Sequence, residues 1–223
     1  MAEPPNSGDP NAPKRLPARK PGRPRRDDSS DLQRALLLAA IDLFANAGFD
    51  GVSLSRIAAR SGADIGLIRY YFGSKAELWE AAMSHLANVY VEDMLAANTY
   101  REGSKTDALK ALIRANLIAA SKWPQASRII VFDGNRADAR GTFIQTRFVA
   151  PFHYLISEFI EGAKEEGRLP NVSTRTIFFM IAHGGAFPMA VPALANSIPG
   201  EDIASEQGLE AHIDAILALL IRD

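Results

Sequence analysis

From Ser30 to Ala97 the chain repeats one device: apolar residues at three- and four-residue spacing, interrupted at short intervals by residues that cap or end a helix. Ser30 and Gln33 have capping-box spacing, Leu37, Ala40, Ile41 and Phe44 follow on one face, and Gly48 supplies a stop. Ser53 predicts the N-cap of a short helix over 54–61, and Gly62 ends it. Asp64 caps a third helix reaching about Tyr71. Ser74 and Glu77 then form another capping box, which opens a long helix from Lys75 to about Ala97.

The helical period continues beyond this compact unit. Leu109, Leu112, Ile113, Asn116, Leu117 and Ala120 form a stripe ended at Pro124. Phe152, Leu155, Ile156, Phe159, Ile160 and Ala163 form another, ended at Gly167. A helix is expected to start at Ser173 and run into an apolar stretch. A last one starts at Gly208 and carries Leu209, Ile213, Ile216, Leu217 and Leu220. No alternating strand pattern and no internal repeat interrupt this sequence, so the fold class is all-α.

Composition removes several chemistries. The chain has no cysteine, so it offers no disulfide, no thiol nucleophile and no thiolate metal site, which fits a reducing cytoplasm. His85, His153, His183 and His212 are dispersed without metal-ligand spacing, and no nucleophile elbow or phosphate-binding glycine loop is present. No catalytic residue, metal or cofactor is expected. The first residues, MAEPPNSGDP, lack a basic segment followed by an apolar one, so no secretory signal is expected. Residues Ile177 to Ala195 approach a bilayer-spanning length with only His183 polar. Gly184, Gly185, Pro188 and Pro192 would interrupt such a helix, which favours a buried or inter-subunit segment over a membrane one.

Charge is divided unevenly. Residues 1–26 hold seven basic residues against two acidic ones, a local balance of +5 in a chain whose net charge is −1. The remainder is therefore acidic. Residues 1–28 also hold seven prolines and little to bury, the composition of a disordered arm suited to a polyanion.

The stretch LSRIAARSGADIGLIRYYFG (54–73) has the layout of a helix-turn-helix. Ala58 is small where two helices cross, and Gly62 sits at a turn where a positive φ costs glycine little. Ile57 and Ile68 fall on the inner faces, packed toward Phe44. Ile65, Gly66, Leu67, Arg69 and Tyr70 then face outward, a helix surface that fits the major groove. Tyr71 and Lys75 can donate to phosphate oxygens, and Ser53 is a further candidate DNA contact. Gly66 costs its helix ~1 kcal/mol relative to alanine, and close approach of DNA would explain it.

Ala39-Ala40, Phe44, Gly48-Phe49, Ser53, Ile57-Ala58, Gly62, Tyr71-Phe72, Lys75 and Leu78 stand in an order and spacing that resembles the DNA-binding domain of the tetracycline-repressor (TetR) family, over about residues 31–80. The resemblance implies an all-helical homodimer on a palindromic double-stranded operator, with a C-terminal domain that binds a small organic effector. It implies a transcriptional regulator, most often a repressor. An activator of the same family and an architectural DNA-binding protein without an effector are the alternatives. Two positions depart from the family pattern. Arg69-Tyr70 stands where many members have an aromatic followed by histidine, and Asp64 replaces the more usual Ser or Thr. Base preference therefore does not transfer.

Three segments follow: an arm over 1–28, the helix-turn-helix domain over 29–80, and an effector-binding and dimerisation domain over 81–223. In the arm, KPGRPRR (20–26) resembles a minor-groove hook, with Arg23, Arg25 and Arg26 as candidate contacts. Residues 122–141, chiefly Trp123-Pro124-Gln125-Ala126-Ser127-Arg128, loosely resemble pyrimidine-utilisation regulators of that family. Arg128, Asp133, Asn135, Gln145, Arg147, His153 and His183 lie among Phe132, Phe143, Phe148 and Phe187. Of these, Arg128, Phe132, Asp133, Asn135, Gln145, Arg147, His183 and Phe187 are the candidate effector contacts. The family's pairing of its last two helices points to Ser173–Ala195 and Gly208–Ile221 as the dimer interface. Deleting residues 1–26 is expected to weaken DNA binding most on sites flanked by A·T pairs. Fluorescence anisotropy on A·T- and G·C-flanked duplexes checks this, and equal losses on both would remove the hook.

Overall fold

Orphan amides at helix starts are met by short polar side chains along the N-terminal half. The computed structural model describes residues 26–222 except 101, and side chains from residue 29 onward. Helix α1 (Arg26–Ala47) is followed by α2 (Leu54–Ser61), α3 (Ile65–Phe72) and α4 (Lys75–Ala97). Ser53 caps α2, Asp64 caps α3, and Ser74 with Glu77 closes a capping box on α4. Gly48 and Gly62, which follow α1 and α2, adopt φ of 67° and 71°. The first helix starts earlier than expected, at Arg26, so Ser30 lies inside it.

The second half is α5 (Lys105–Lys122), α6 (Pro124–Asp133), α7 (Ala139–Ile144), α8 (Ala150–Glu165), α9 (Thr174–Phe179), α10 (Phe187–Ala190), α11 (Pro192–Ala195) and α12 (Glu206–Leu220). Among the described residues every regular element is helical. Two π-helical turns interrupt it, Gln145–Val149 between α7 and α8 and Met180–Gly185 after α9. The single helix expected from Ser173 is therefore broken into α9, a π turn, α10 and α11. Pro188 and Pro192 lie at the starts of the last two, where a missing N–H costs nothing. Helix α12 starts at Glu206 on a Ser205 cap, two residues before Gly208. No described helix is long and apolar enough to cross a membrane.

Two cores result. The first gathers Leu36, Ala40, Ile41 and Phe44 of α1, Ile57 and Ala58 of α2, Ile68 of α3, and Leu78, Ala82, Met83 and Leu86 of α4. Ala126 and Ile129 of α6 and Ile144 of α7 pack into this same core, and Phe143 meets Trp79 edge-on at 5.5 Å. The second core surrounds α5, which buries Leu109, Ile113 and Leu117 against α8, α9 and α12. Helix α4 passes from one core to the other, contributing Met94 to the second. Polar ties fix the joints. Asp93 of α4 accepts from Lys122 and from the Trp123 indole at 2.6 and 2.7 Å, and Arg114 of α5 pairs with Glu210 of α12.

Ile68 has no exposed surface, whereas its near neighbour Tyr70 is 80% exposed. Ile68→Ala is expected to destabilise the protein by about 2–5 kcal/mol. Tyr70→Ala is expected to stay within about 0.5 kcal/mol. Chemical denaturation followed by circular dichroism compares them, and equal costs would overturn the inside–outside assignment of α3.

Candidate DNA-reading surface and an internal cavity

The α2–α3 pair is held by its turn and its caps. Ser53 Oγ accepts from the Arg56 amide at 3.2 Å, and the Gly62 amide closes α2 on the Ala58 carbonyl. Asp64 Oδ1 accepts from the Leu67 amide at 2.8 Å. A Cβ built on Gly66 would stand 2.9 Å from that same oxygen. A side chain at this position would have to displace the cap carboxylate, a cost within the chain that glycine avoids.

With Ile68 turned inward, α3 leaves Ile65, Gly66, Arg69 and Tyr70 exposed, and Leu67 and Tyr71 half-buried. The Tyr70 and Tyr71 rings meet edge-on at 5.1 Å, and Tyr71 meets Phe72 at 6.3 Å. Ser53 is exposed beside Ser55, its hydroxyl 2.9 Å from that neighbour's. Lys75, in the first turn of α4, sets its ammonium 4.2 Å from the centroid of the Phe49 ring. The Arg140 guanidinium lies equally close to that ring. Asp133, Asp50 and Asp138 stand 3.5, 3.8 and 3.8 Å from Arg140 and offset the local positive charge. Arg23 and Arg25 lie outside the described residues, as does the side chain of Arg26.

The carboxylates of this cluster differ. Asp138 caps α7 and pairs with Arg136, which together with the Gly141 amide holds its pKa down at about 2. Asp133 is buried, and loss of water pushes its pKa up against the pull of Arg140.

A cavity of about 220 Å³ opens between α4, α5, α6 and α8. Both π turns contribute to its wall, the first through Arg147 and Phe148 and the second through Ala182 and His183. Met94, Leu95, Phe152 and Phe178 supply apolar lining, and Tyr90, Asn116 and Ser127 supply polar groups. Burial pushes the pKa of His183 down, so its ring is neutral at pH 7. The Tyr90 hydroxyl donates toward Asn116, 2.9 Å from Oδ1 and 3.2 Å from the carbonyl, and burial raises its pKa.

Of the eight candidate effector contacts, only Arg147 and His183 line this cavity. Ala126, Ser127 and Ile130 are the α6 residues that face it, so Arg128 and Phe132 fall on other faces of that helix. Arg128 instead crosses between the two halves. Its Nε donates to the Ala190 carbonyl at 2.6 Å and its Nη1 to Asn46 Oδ1 of α1 at 2.7 Å. Phe132 and Phe187 are exposed, as is Asn135, and Asp133 turns to Arg140. Gln145 Nε2 donates to the Gly134 carbonyl at 2.9 Å. His153 packs edge-on to Phe178 at 4.9 Å and does not line the cavity. Tyr90, Asn116 and Ser127 are polar liners absent from the candidate contacts, and of these Asn116 carried a signal in the sequence. Its signal was a lone amide in the otherwise apolar stripe of α5.

Residues 36–82 match the domain described as bacterial regulatory proteins, tetR family. Over 186 residues the chain is 27% identical to the HTH-type transcriptional regulator RutR of Escherichia coli (strain K12), covering 80% of this chain and 85% of that protein. It is 34% identical over 90 residues to the HTH-type transcriptional regulator BetI of Burkholderia mallei (strain NCTC 10229), covering 40% and 44%. Its fold is similar to that of AibR, solved with isovaleryl coenzyme A and operator DNA, at a TM-score of 0.68 and 19% identity over 85% of this chain and 97% of that one. Residues 36–82 thus carry a DNA-binding domain of the tetR family, and the chain is similar through both halves to a transcriptional regulator.

Proposed function

We propose that this protein is a cytoplasmic repressor that binds a palindromic operator as a homodimer and changes its affinity when a small organic effector enters the cavity. The carrying observation is that reading head and cavity are built on shared helices. Helix α4 begins beside α3 at Lys75 and lines the cavity farther along with Ala87, Tyr90, Val91, Met94 and Leu95. Helix α6 lines the cavity with Ser127 and Ile130 while Arg128 holds α1. A ligand that shifts either helix is coupled to α3, because α4 and α6 both pack into the core that seats Ile68.

The surface of α3 supports the DNA part. Arg69 and Tyr70 are exposed on α3 together with Ile65 and Gly66, the arrangement that fits base edges and phosphates in a major groove. Lys75 and Ser53 flank it. The cavity favours a regulator over a purely architectural protein, which has no use for an internal void. A structural neighbour, AibR, was captured with both an acyl coenzyme A and operator DNA, so one fold accommodates both kinds of partner.

For the homodimer, the support is apolar surface left uncovered on the expected segments. Phe179, Met180, Phe187 and Leu194 are half exposed or more, and Leu219 of α12 is 81% exposed. In a monomer these would form an apolar patch in water.

Selection of bound fragments from random DNA with the purified protein is expected to return a two-fold symmetric site; an asymmetric consensus would remove the paired-head reading. On that site, Lys75→Ala is expected to weaken binding to all sequences and to reduce the slope of log affinity against log salt by about 1. A slope equal to the parent's would take Lys75 off the phosphate backbone.

A further inference from the structure

The cavity's charge is lopsided. Among the described residues no aspartate or glutamate lines it, His183 is neutral, and Tyr90 is a phenol held protonated by burial. Arg147 is therefore its one charged liner. That guanidinium makes no ion pair with any carboxylate among the described residues; its neighbour is the Phe143 ring, 6.0 Å from the centroid. A cation on a largely apolar wall attracts an anion and repels another cation.

A second observation is independent of charge. Asn116 is only 3% exposed, it lines the cavity, and its Nδ2 has no hydrogen-bond partner. Its Oδ1 is already taken by the Tyr90 hydroxyl, so the open position on this side chain is a donor. A buried donor without an acceptor is costly, and a bound oxygen would relieve that cost. The remaining wall is Met94, Leu95, Phe148, Phe152 and Phe178. The volume, about 220 Å³, falls below the roughly 300–1,000 Å³ of most small-molecule pockets, so the occupant is small.

Resting on the effector reading above, we propose that the ligand is a small monoanionic organic acid with an apolar body. Its carboxylate pairs with Arg147, an oxygen of the same molecule accepts from Asn116 Nδ2, and its hydrocarbon lies against the Phe and Met side chains. The two π turns are part of this site, since they widen the helices where Arg147 and His183 join the wall.

The test uses the full chain and three matched panels: straight, branched and aromatic carboxylates of five to nine carbons, their neutral amides, and the corresponding amines, with uracil as a neutral heterocycle. Thermal melting and calorimetry are expected to show carboxylates binding at least tenfold more tightly than the amides, and amines not binding. Arg147→Gln, at an exposed position that the fold does not need, is expected to weaken the best carboxylate about tenfold while leaving amide binding within threefold. Asn116→Ala is expected to weaken both. Amides, amines or uracil binding as tightly as the acids, or an unchanged carboxylate affinity in Arg147→Gln, would overturn the acid assignment and leave an effector site standing. Absence of binding by all panels would overturn both. Carboxylate binding that leaves affinity for the selected DNA site unchanged would uphold the site chemistry and remove the effector role.

Discussion

The outward surface of α3 depends on the inward burial of one of its residues. Ile68 sits in a core built from α1, α2 and α4, with Ile57 and Phe44 equally enclosed. Because a helix turns about 100° per residue, fixing Ile68 inside fixes Arg69 and Tyr70 outside. Gly62 makes the geometry possible: at φ 71° it turns the chain between two eight-residue helices, neither of which would be stable alone. The polar caps at Ser53, Asp64 and Ser74 set where each rod begins, and the apolar contacts set how it is rotated.

A second consequence is mechanical. The N-terminal core recruits Ala126, Ile129 and Ile144 from helices late in the sequence, so the reading head is finished by the half that carries the cavity. Arg128 reinforces this joint with hydrogen bonds to both sides, and Arg140 adds another contact through Phe49, beside Lys75. Arg140 approaches the reading head with Asp133 and Asp138 close by, which limits the repulsion between it and Lys75. Packing and charge thus act on the same seam.

Legibility differed along the chain for physical reasons. Helices α2, α3 and α4 were readable to within a residue because their caps and stops are local, satisfied by groups three or four positions away. The start of α1 was misplaced, since a Ser–Gln pair with capping-box spacing also occurs inside a helix. Helices α6 and α7 were not read at all. The apolar stretch after Ser173 was read as one rod, although its prolines each begin a new short helix. Gly66 spares the Asp64 cap oxygen a contact at 2.9 Å, a local cost of any side chain there that stands beside the reading of close DNA approach.

By itself the sequence determined the helical class, the caps, the turn at Gly62 and the face of α3 that looks outward, because each follows from spacing within one or two turns of chain. Only the tertiary structure decided that Arg128 joins the halves, since its partners lie 62 and 82 residues away. The same holds for the cavity, whose wall takes residues from Ala87 to His183. A void is what several helices fail to fill together, and no single helix carries that information.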